Sequence, residues 1–155
     1  MSHNNCWVLI LVLLASSGVL KSSTEPIYDE KADARRDISA AIADARTAKK
    51  NIVLVFGANW CPDCHALDAQ MHNPELAALL AQNFVIVKVD MGRHDKNMDL
   101  AEQYKVPIKH GIPALAVLDS DGHLLYAMDQ GQFADARHMS YESIKAFFEQ
   151  WRPKN

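Results

Sequence analysis

The sequence predicts an α/β fold, a three-layer α/β/α sandwich on a mixed central sheet that ends in an antiparallel hairpin. Three observations lead there. Short, continuously apolar, β-branched runs at Ile52–Phe56 and Phe84–Asp90 alternate with segments of helical period, the pattern of buried strands joined by crossover helices. The turn signal Asp119-Ser120-Asp121-Gly122 separates two later runs and closes a hairpin. With 155 residues the chain suits a single core, since domains commonly hold about 100 to 200 residues.

Each element has its own signal. From Asp29 to Lys50, Ile38, Ala41, Ile42, Ala45 and Ala48 recur at helical spacing among charges, with Lys49 and Lys50 at the end where a helix favours cations. Ile52–Phe56 is too continuously apolar for an exposed strand and belongs in the middle of the sheet. A helix follows from Cys61 to Met71, Asn73-Pro74 breaks it, and Pro74–Gln82 continues as a second piece. Phe84–Asp90 is the next strand, apolar except at Lys88 and its terminal Asp90. Asp95–Tyr104 reads as a short helix anchored by Leu100, and Ile112–Leu118 as a strand interrupted by Pro113. His123–Met128 completes the hairpin, and Ser140 opens a last helix with Ile144, Phe147, Phe148 and Trp151 on its apolar face.

Ahead of this body, residues 1–17 read as a signal peptide, 18–29 as a linker, and 30–155 as the folded domain. Trp7–Ala15 is unbroken apolar sequence followed by the small residues Ser16, Ser17 and Gly18, suited to signal peptidase. It falls well short of the roughly 20 residues that span a bilayer. This leader implies a periplasmic or secreted protein, with membrane contact only through an uncleaved leader or a membrane redox partner. The composition is 49% hydrophobic and 23% charged with a net charge of −3, which lacks the basic excess of a nucleic-acid binder. Cleavage would remove Cys6 and leave Cys61 and Cys64, a single dithiol in an oxidising compartment. So short a loop would restrict the unfolded chain little, so chemistry explains the pair better than stability does.

Trp60-Cys61-Pro62-Asp63-Cys64 stands directly between a strand and a helix, and a C-x-x-C at that corner is a redox centre by geometry. Cys61 then caps the helix, where unpaired N–H groups and the positive end of the dipole favour a thiolate. Cys61 is therefore the expected nucleophile and Cys64, one turn on, the buried resolving thiol. Lowering a thiol pKa from about 8.5 by two units needs roughly 2.7 kcal/mol, within reach of amides, dipole and a Cys64 hydrogen bond. Asp63 is expected to oppose a second negative charge, and Pro62 to stiffen the first turn.

The order of elements across about residues 30 to 152, the Trp60–Cys64 motif after the first long strand, and Gly111-Ile112-Pro113 before a later one resemble the thioredoxin superfamily. Phe56-Gly57-Ala58-Asn59-Trp60, Asp63-Cys64-His65 and Val117–Gly122 resemble secreted bacterial thioredoxin-like proteins. The resemblance implies a thiol-disulfide oxidoreductase, a reductase or exchange protein that needs no cofactor. It would act on disulfide-containing protein substrates and be recycled by an upstream protein reductant. It further implies that Pro113 follows a cis bond and that Ile112, Pro113 and Trp60 receive the substrate. Such proteins usually bury an Asp six residues before the first cysteine, where this chain has Val55. Asp68, one turn after Cys64, is the natural substitute as proton acceptor, and Lys88 resembles the lysine that pairs with such an acid. The chain is several residues longer than a minimal relative between Asp90 and Pro113, which places Lys109 and His110 beside the dithiol as modulators.

Other chemistries are open to the same residues. Cys61-Pro62-Asp63-Cys64-His65 satisfies the C-x-x-C-H of haem attachment, with Met71, Met91, Met98, Met128 or Met139 as a sixth ligand. Zinc would need His65 and His72 beside the cysteines, although no second metal-binding knuckle accompanies them, so no metal is expected. A non-catalytic binding module would use the Ile112-Pro113 groove and leave the thiols idle.

Overall fold

The computed structural model describes residues 25–154. The leader 1–17, Cys6 and residues 18–24 of the linker lie outside the described residues. The sheet is mixed, with strand order β2-β1-β3-β4. Here β1 is Asn51–Gly57, β2 Phe84–Asp90, β3 Ala114–Leu118 and β4 Leu124–Ala127. β2 runs parallel to β1 from Asn51 opposite Phe84 to Gly57 opposite Asp90. β3 runs antiparallel to β1, and β4 antiparallel to β3 with a register shift at Val117/Leu118.

Every residue of β1 is buried, as the continuous apolar run requires of a strand covered on both faces. Alternation sorts its side chains. Ile52, Leu54 and Phe56 pack with Ile38, Ala41 and Ala45 of α1 (Ala34–Ala48) and with Leu100 of α4 (Met98–Gln103). Val53 and Val55 face the other way, toward Leu67 of α2 (Pro62–Met71), Leu76 and Leu80 of α3 (Pro74–Asn83), and Ile144 and Phe148 of α5 (Tyr141–Gln150). These are the three layers. Each fully buried aliphatic or aromatic side chain contributes about 1.5–3 kcal/mol of transfer free energy, so β1 is the most heavily stabilised strand.

Several boundaries differ from the sequence expectation for local reasons. α1 begins at Ala34 because the Asp33 carboxylate accepts from the Arg36 N–H, while Asp29 folds its own backbone into a turn by accepting from the Lys31 N–H. α4 starts at Met98, since His94 and Asn97 adopt left-handed φ of 65° and 52°. β3 starts at Ala114, after a cis Ile112–Pro113 bond whose proline has no N–H for the ladder. In the hairpin, Asp119 Oδ1 accepts from the N–H groups of Asp121 and His123, and Gly122 has a φ of 87°. α5 is capped by Ser140, as expected. The stretch Gln132–His138, to which the sequence gives no element, forms two short 3₁₀ turns broken at Asp135 and packs against α2. Among the described residues no helix is long and apolar enough to cross a membrane.

Candidate active site

Cys61 and Cys64 meet where β1 ends and α2 begins, bonded as a disulfide with Cα atoms 5.2 Å apart. Cys61 is the helix N-cap: the Cys64 N–H donates to its Sγ at 3.1 Å. That hydrogen bond is the one a thiolate at Cys61 would strengthen. Cys61 Sγ also lies 3.3 Å from the Ile112 carbonyl oxygen, against the cis Pro113 loop. Both cysteines are buried, at 3% and 2% exposure, so access does not tell them apart. Their hydrogen bonding does.

Pro62 is exposed at the first helical position. Asp63 is buried, and its Oδ1 accepts from the Arg137 backbone N–H at 3.0 Å and from Arg137 Nε at 3.1 Å. Burial pushes the Asp63 carboxyl up, but these Arg137 contacts outweigh it and hold the group below its ordinary value. The Asp63 carboxylate beside the pair thus has a cationic partner in Arg137, 74 positions away in sequence. His65 Nε2 is 2.7 Å from the Asn59 carbonyl oxygen. Trp60 is 48% exposed, with Nε1 donating to the Gly92 carbonyl at 2.6 Å and its ring against His94.

Asp68 and Lys88 form an ion pair between α2 and β2, and His72 lies 3.5 Å from the same carboxylate. Asp68 is thus partnered, not free on the helix surface. Lys109 and His110 are exposed on the 3₁₀ turn Ile108–His110, just before the cis-proline loop. That turn is held from the other side: a methyl group on Gly131 would meet the His110 carbonyl oxygen at 2.6 Å. Among the described residues, the grouping of three potential metal ligands is Asp119, Asp121 and His123 in the hairpin turn, apart from the cysteines, His65 and His72.

The roles of three residues near the dithiol escape sequence reasoning, although Gly57 and Asn59 lie in the stretch that carries the family resemblance. Asn59 Oδ1 accepts from the N–H groups of Ile27 and Tyr28, and its Nδ2 donates to the Tyr28 carbonyl. Tyr28 is thereby laid, buried, over the end of β1. Gly57 makes room: a methyl group there would stand 2.2 Å from the Tyr28 hydroxyl oxygen and 2.8 Å from Cys64 Sγ. Burial first, then the charges of Asp68 and Asp90, pushes the Tyr28 phenol far above its ordinary pKa. No periodicity marks these positions, because Asn59 and Tyr28 act from irregular backbone.

A cleft of about 450 Å³ lies beside Trp60, lined by Glu30, Asn59, Asp90, Arg93 and Lys96 among others. A larger one of about 760 Å³, bounded by Lys49, Asn51, Trp151 and Arg152, sits at the opposite end of β1 from the cysteines. Size therefore does not mark the reactive end.

The thioredoxin-like family profile matches residues 33–120. The chain belongs to the thioredoxin-like family. A disulphide isomerase from Xylella fastidiosa Temecula1 is 43% identical with a TM-score of 0.79, over 83% of this chain and 98% of that one. The C-terminal domain of Neisseria meningitidis DsbD in its oxidised form shares the thioredoxin-like fold: TM-score 0.53 at 22% identity, over 78% and 97% of the two chains. Probable nucleoredoxin 3 of Oryza sativa subsp. japonica is 30% identical over 92 residues, 47% of this chain and 20% of the relative. Thiol:disulfide interchange protein DsbD of Vibrio vulnificus is 30% identical over 89 residues, 56% of this chain and 14% of the relative. The chain thus spans a fifth or less of the length of these curated relatives. Family membership and the bonded Cys61–Cys64 pair together support thiol-disulfide oxidoreductase activity.

Proposed function

We propose that the protein reduces or exchanges disulfides of secreted proteins, with Cys61 as nucleophile and Cys64 as resolving thiol. The observation that supports this reading is the Cys64 N–H donating to Cys61 Sγ at the start of α2, a contact that favours a thiolate at Cys61 once the pair is reduced. Cys61 attacks a substrate disulfide, and the mixed disulfide lies across Ile112 and Pro113, with Trp60 flanking. Cys64 passes its proton to Asp68 or to water and attacks Cys61, releasing reduced substrate. A separate protein reductant then restores the dithiol. Pro62, His65, Lys88, Lys109 and His110 modulate this centre, the last two from the exposed turn ahead of the groove.

The haem alternative finds its residues otherwise engaged, the cysteines with each other and His65 with Asn59. Equilibration against glutathione tests the direction of electron flow. The expected potential lies between about −180 and −270 mV, and a value near about −120 mV would make the protein an oxidant instead. Cys61→Ser must abolish turnover of a disulfide-bonded protein; undiminished turnover removes Cys61 from the mechanism.

The 43% identity to the Xylella disulphide isomerase favours a second reading, in which Cys61 reshuffles mispaired disulfides and leaves without Cys64. Cys64→Ala separates the two: isomerisation of a scrambled substrate survives it, whereas net reduction does not. The leader 1–17 supports export, and the mass of the exported product checks its cleavage.

A further inference from the structure

Tyr28 is 3% exposed and comes from a segment outside the sheet and helices, yet its hydroxyl shares with Cys64 Sγ the space that one methyl group on Gly57 would fill. Three features hold it there. Asn59, which precedes the Trp60–Cys64 motif, bonds both the N–H and the carbonyl of Tyr28. Gly57, the last residue of β1, supplies the gap. Lys88 Nζ stands 5.9 Å from the Tyr28 ring centroid while paired with Asp68.

We propose that the Tyr28 hydroxyl donates a hydrogen bond to the Cys64 sulfur as it becomes a thiolate, and so positions and stabilises the resolving thiol. This rests on the reading that Cys64 resolves a mixed disulfide on Cys61. In that step the Cys64 S–H proton goes to the Asp68 carboxylate or to water and the thiolate attacks Cys61 Sγ. The Cys61–Cys64 bond forms, the Cys61–substrate bond breaks, and the substrate sulfur leaves with the electron pair and takes a proton from solvent. Over attack and resolution together the cysteine pair loses two electrons, and the two sulfurs of the substrate disulfide gain them. Cys64 is buried, and its own N–H is committed to Cys61 Sγ and so is not available to a thiolate at Cys64. The phenol remains protonated, since burial and the carboxylates of Asp68 and Asp90 disfavour phenolate. It therefore acts as a donor and not as the base.

The charged groups around this point come from every neighbouring element. They are Asp68 and the partner thiol Cys61 at α2, Lys88 and Asp90 on β2, Lys96 bonded to Asp90, and Glu30 on the Tyr28 segment, bonded to Asn59. Asp68 and Asp90 disfavour a Cys64 thiolate, and Lys88 and Lys96 already serve those carboxylates. A neutral hydroxyl donor favours the thiolate without adding a charge.

The test uses Tyr28→Phe, which keeps the ring and removes only the hydroxyl. Reduced protein is mixed with an aromatic disulfide that releases a coloured thiolate, so that the first release reports attack by Cys61 and the second reports resolution by Cys64. In Tyr28→Phe the second release is expected to slow about tenfold while the first is unchanged, the loss of one hydrogen bond to a charged sulfur. The Cys64 Cβ chemical shift, followed against pH in the reduced protein, should titrate about one unit higher in the variant. A fluorotyrosine at position 28, which keeps ring and hydroxyl and donates more strongly, should move that midpoint down. This second variant serves if Tyr28→Phe does not fold. Equal second-release rates and equal Cys64 midpoints in wild type and variant overturn the proposal. Absence of a second release in the wild type overturns the resolving role of Cys64 instead, so the two failures are distinguishable.

Discussion

Asp63 shows how far one residue's meaning depends on a partner distant in sequence. It lies inside the redox motif, where a carboxylate would depress the acidity of Cys61, but Arg137, 74 positions away, neutralises it and ties the 3₁₀ segment to α2. Asp63→Asn should therefore lower unfolding free energy by about 1–2 kcal/mol at neutral pH, the range for a hydrogen-bonded charge in a half-exposed pair. The sign with pH follows from the lowered native pKa. The stabilisation is present in full above the ordinary value of 3.8 and is lost as pH falls through the lower native value, so wild type and variant should converge in acid. Denaturant unfolding across pH checks this, and a gap that persists in acid contradicts it. Arg137→Ala makes the complementary prediction for chemistry. It leaves the carboxylate unopposed beside the motif, so the Cys61 thiol pKa should rise by about half a unit, read from the pH dependence of alkylation of the reduced protein. The cysteines were plain in the sequence because their spacing is itself the signal. Arg137 was not, because nothing local marks a cation whose acceptor is on another element.

Between elements, the most consequential junction is the one that Asn59 makes. Segment 25–33 belongs to no strand or helix, yet Asn59 receives the Ile27 and Tyr28 N–H groups at 2.9 and 2.8 Å and returns a hydrogen bond to the Tyr28 carbonyl at 2.9 Å. One side chain thus does for this segment what a strand ladder does elsewhere. Asn59→Ala should cost about 1–2 kcal/mol, several partly buried bonds being lost at once. Amide exchange at Ile27 and Tyr28 should accelerate, while exchange in β1 stays as slow as the whole fold allows. Uniform acceleration would mean that the segment is integral to the core instead. The sequence conveys strands and helices well for a reason visible at β1: every side chain from Ile52 to Phe56 is buried, so hydrophobicity is the whole message. It conveys boundaries less well, as at Asp29 and Asp33, where two similar carboxylates do different work, one closing a turn and the other capping α1. It conveys nothing of the 27–28 clamp, whose bonds are to backbone and need no particular residue at the receiving end.

Across the whole molecule, the sheet divides the interior into two bodies with different duties. Tyr28, Cys61 and Cys64 pack in the cluster on the α1 face, whereas Phe84, Phe133, Ile144 and Phe148 form the cluster on the α5 face. Phe148 is fully buried, with its ring edge-on to Phe84 at 5.9 Å and to Phe147 at 5.3 Å. Phe148→Ala should then cost about 3–5 kcal/mol of stability through the cavity it leaves. Because β1 stands between that cavity and the sulfurs, the Cys61 alkylation profile should keep its midpoint in the fraction that remains folded. The α5 face does reach the motif, through Phe133 and Ala136 of the 3₁₀ segment that carries Arg137. Phe133→Ala is for that reason the informative contrast. It opens a comparable cavity on the same face, but next to the backbone N–H that Asp63 accepts from, and should move the thiol midpoint upward where Phe148→Ala does not. Equal midpoints in the two variants would mean that the Arg137 anchor holds without the aromatic packing beneath it, and that the thiol is insulated from the entire α5 face.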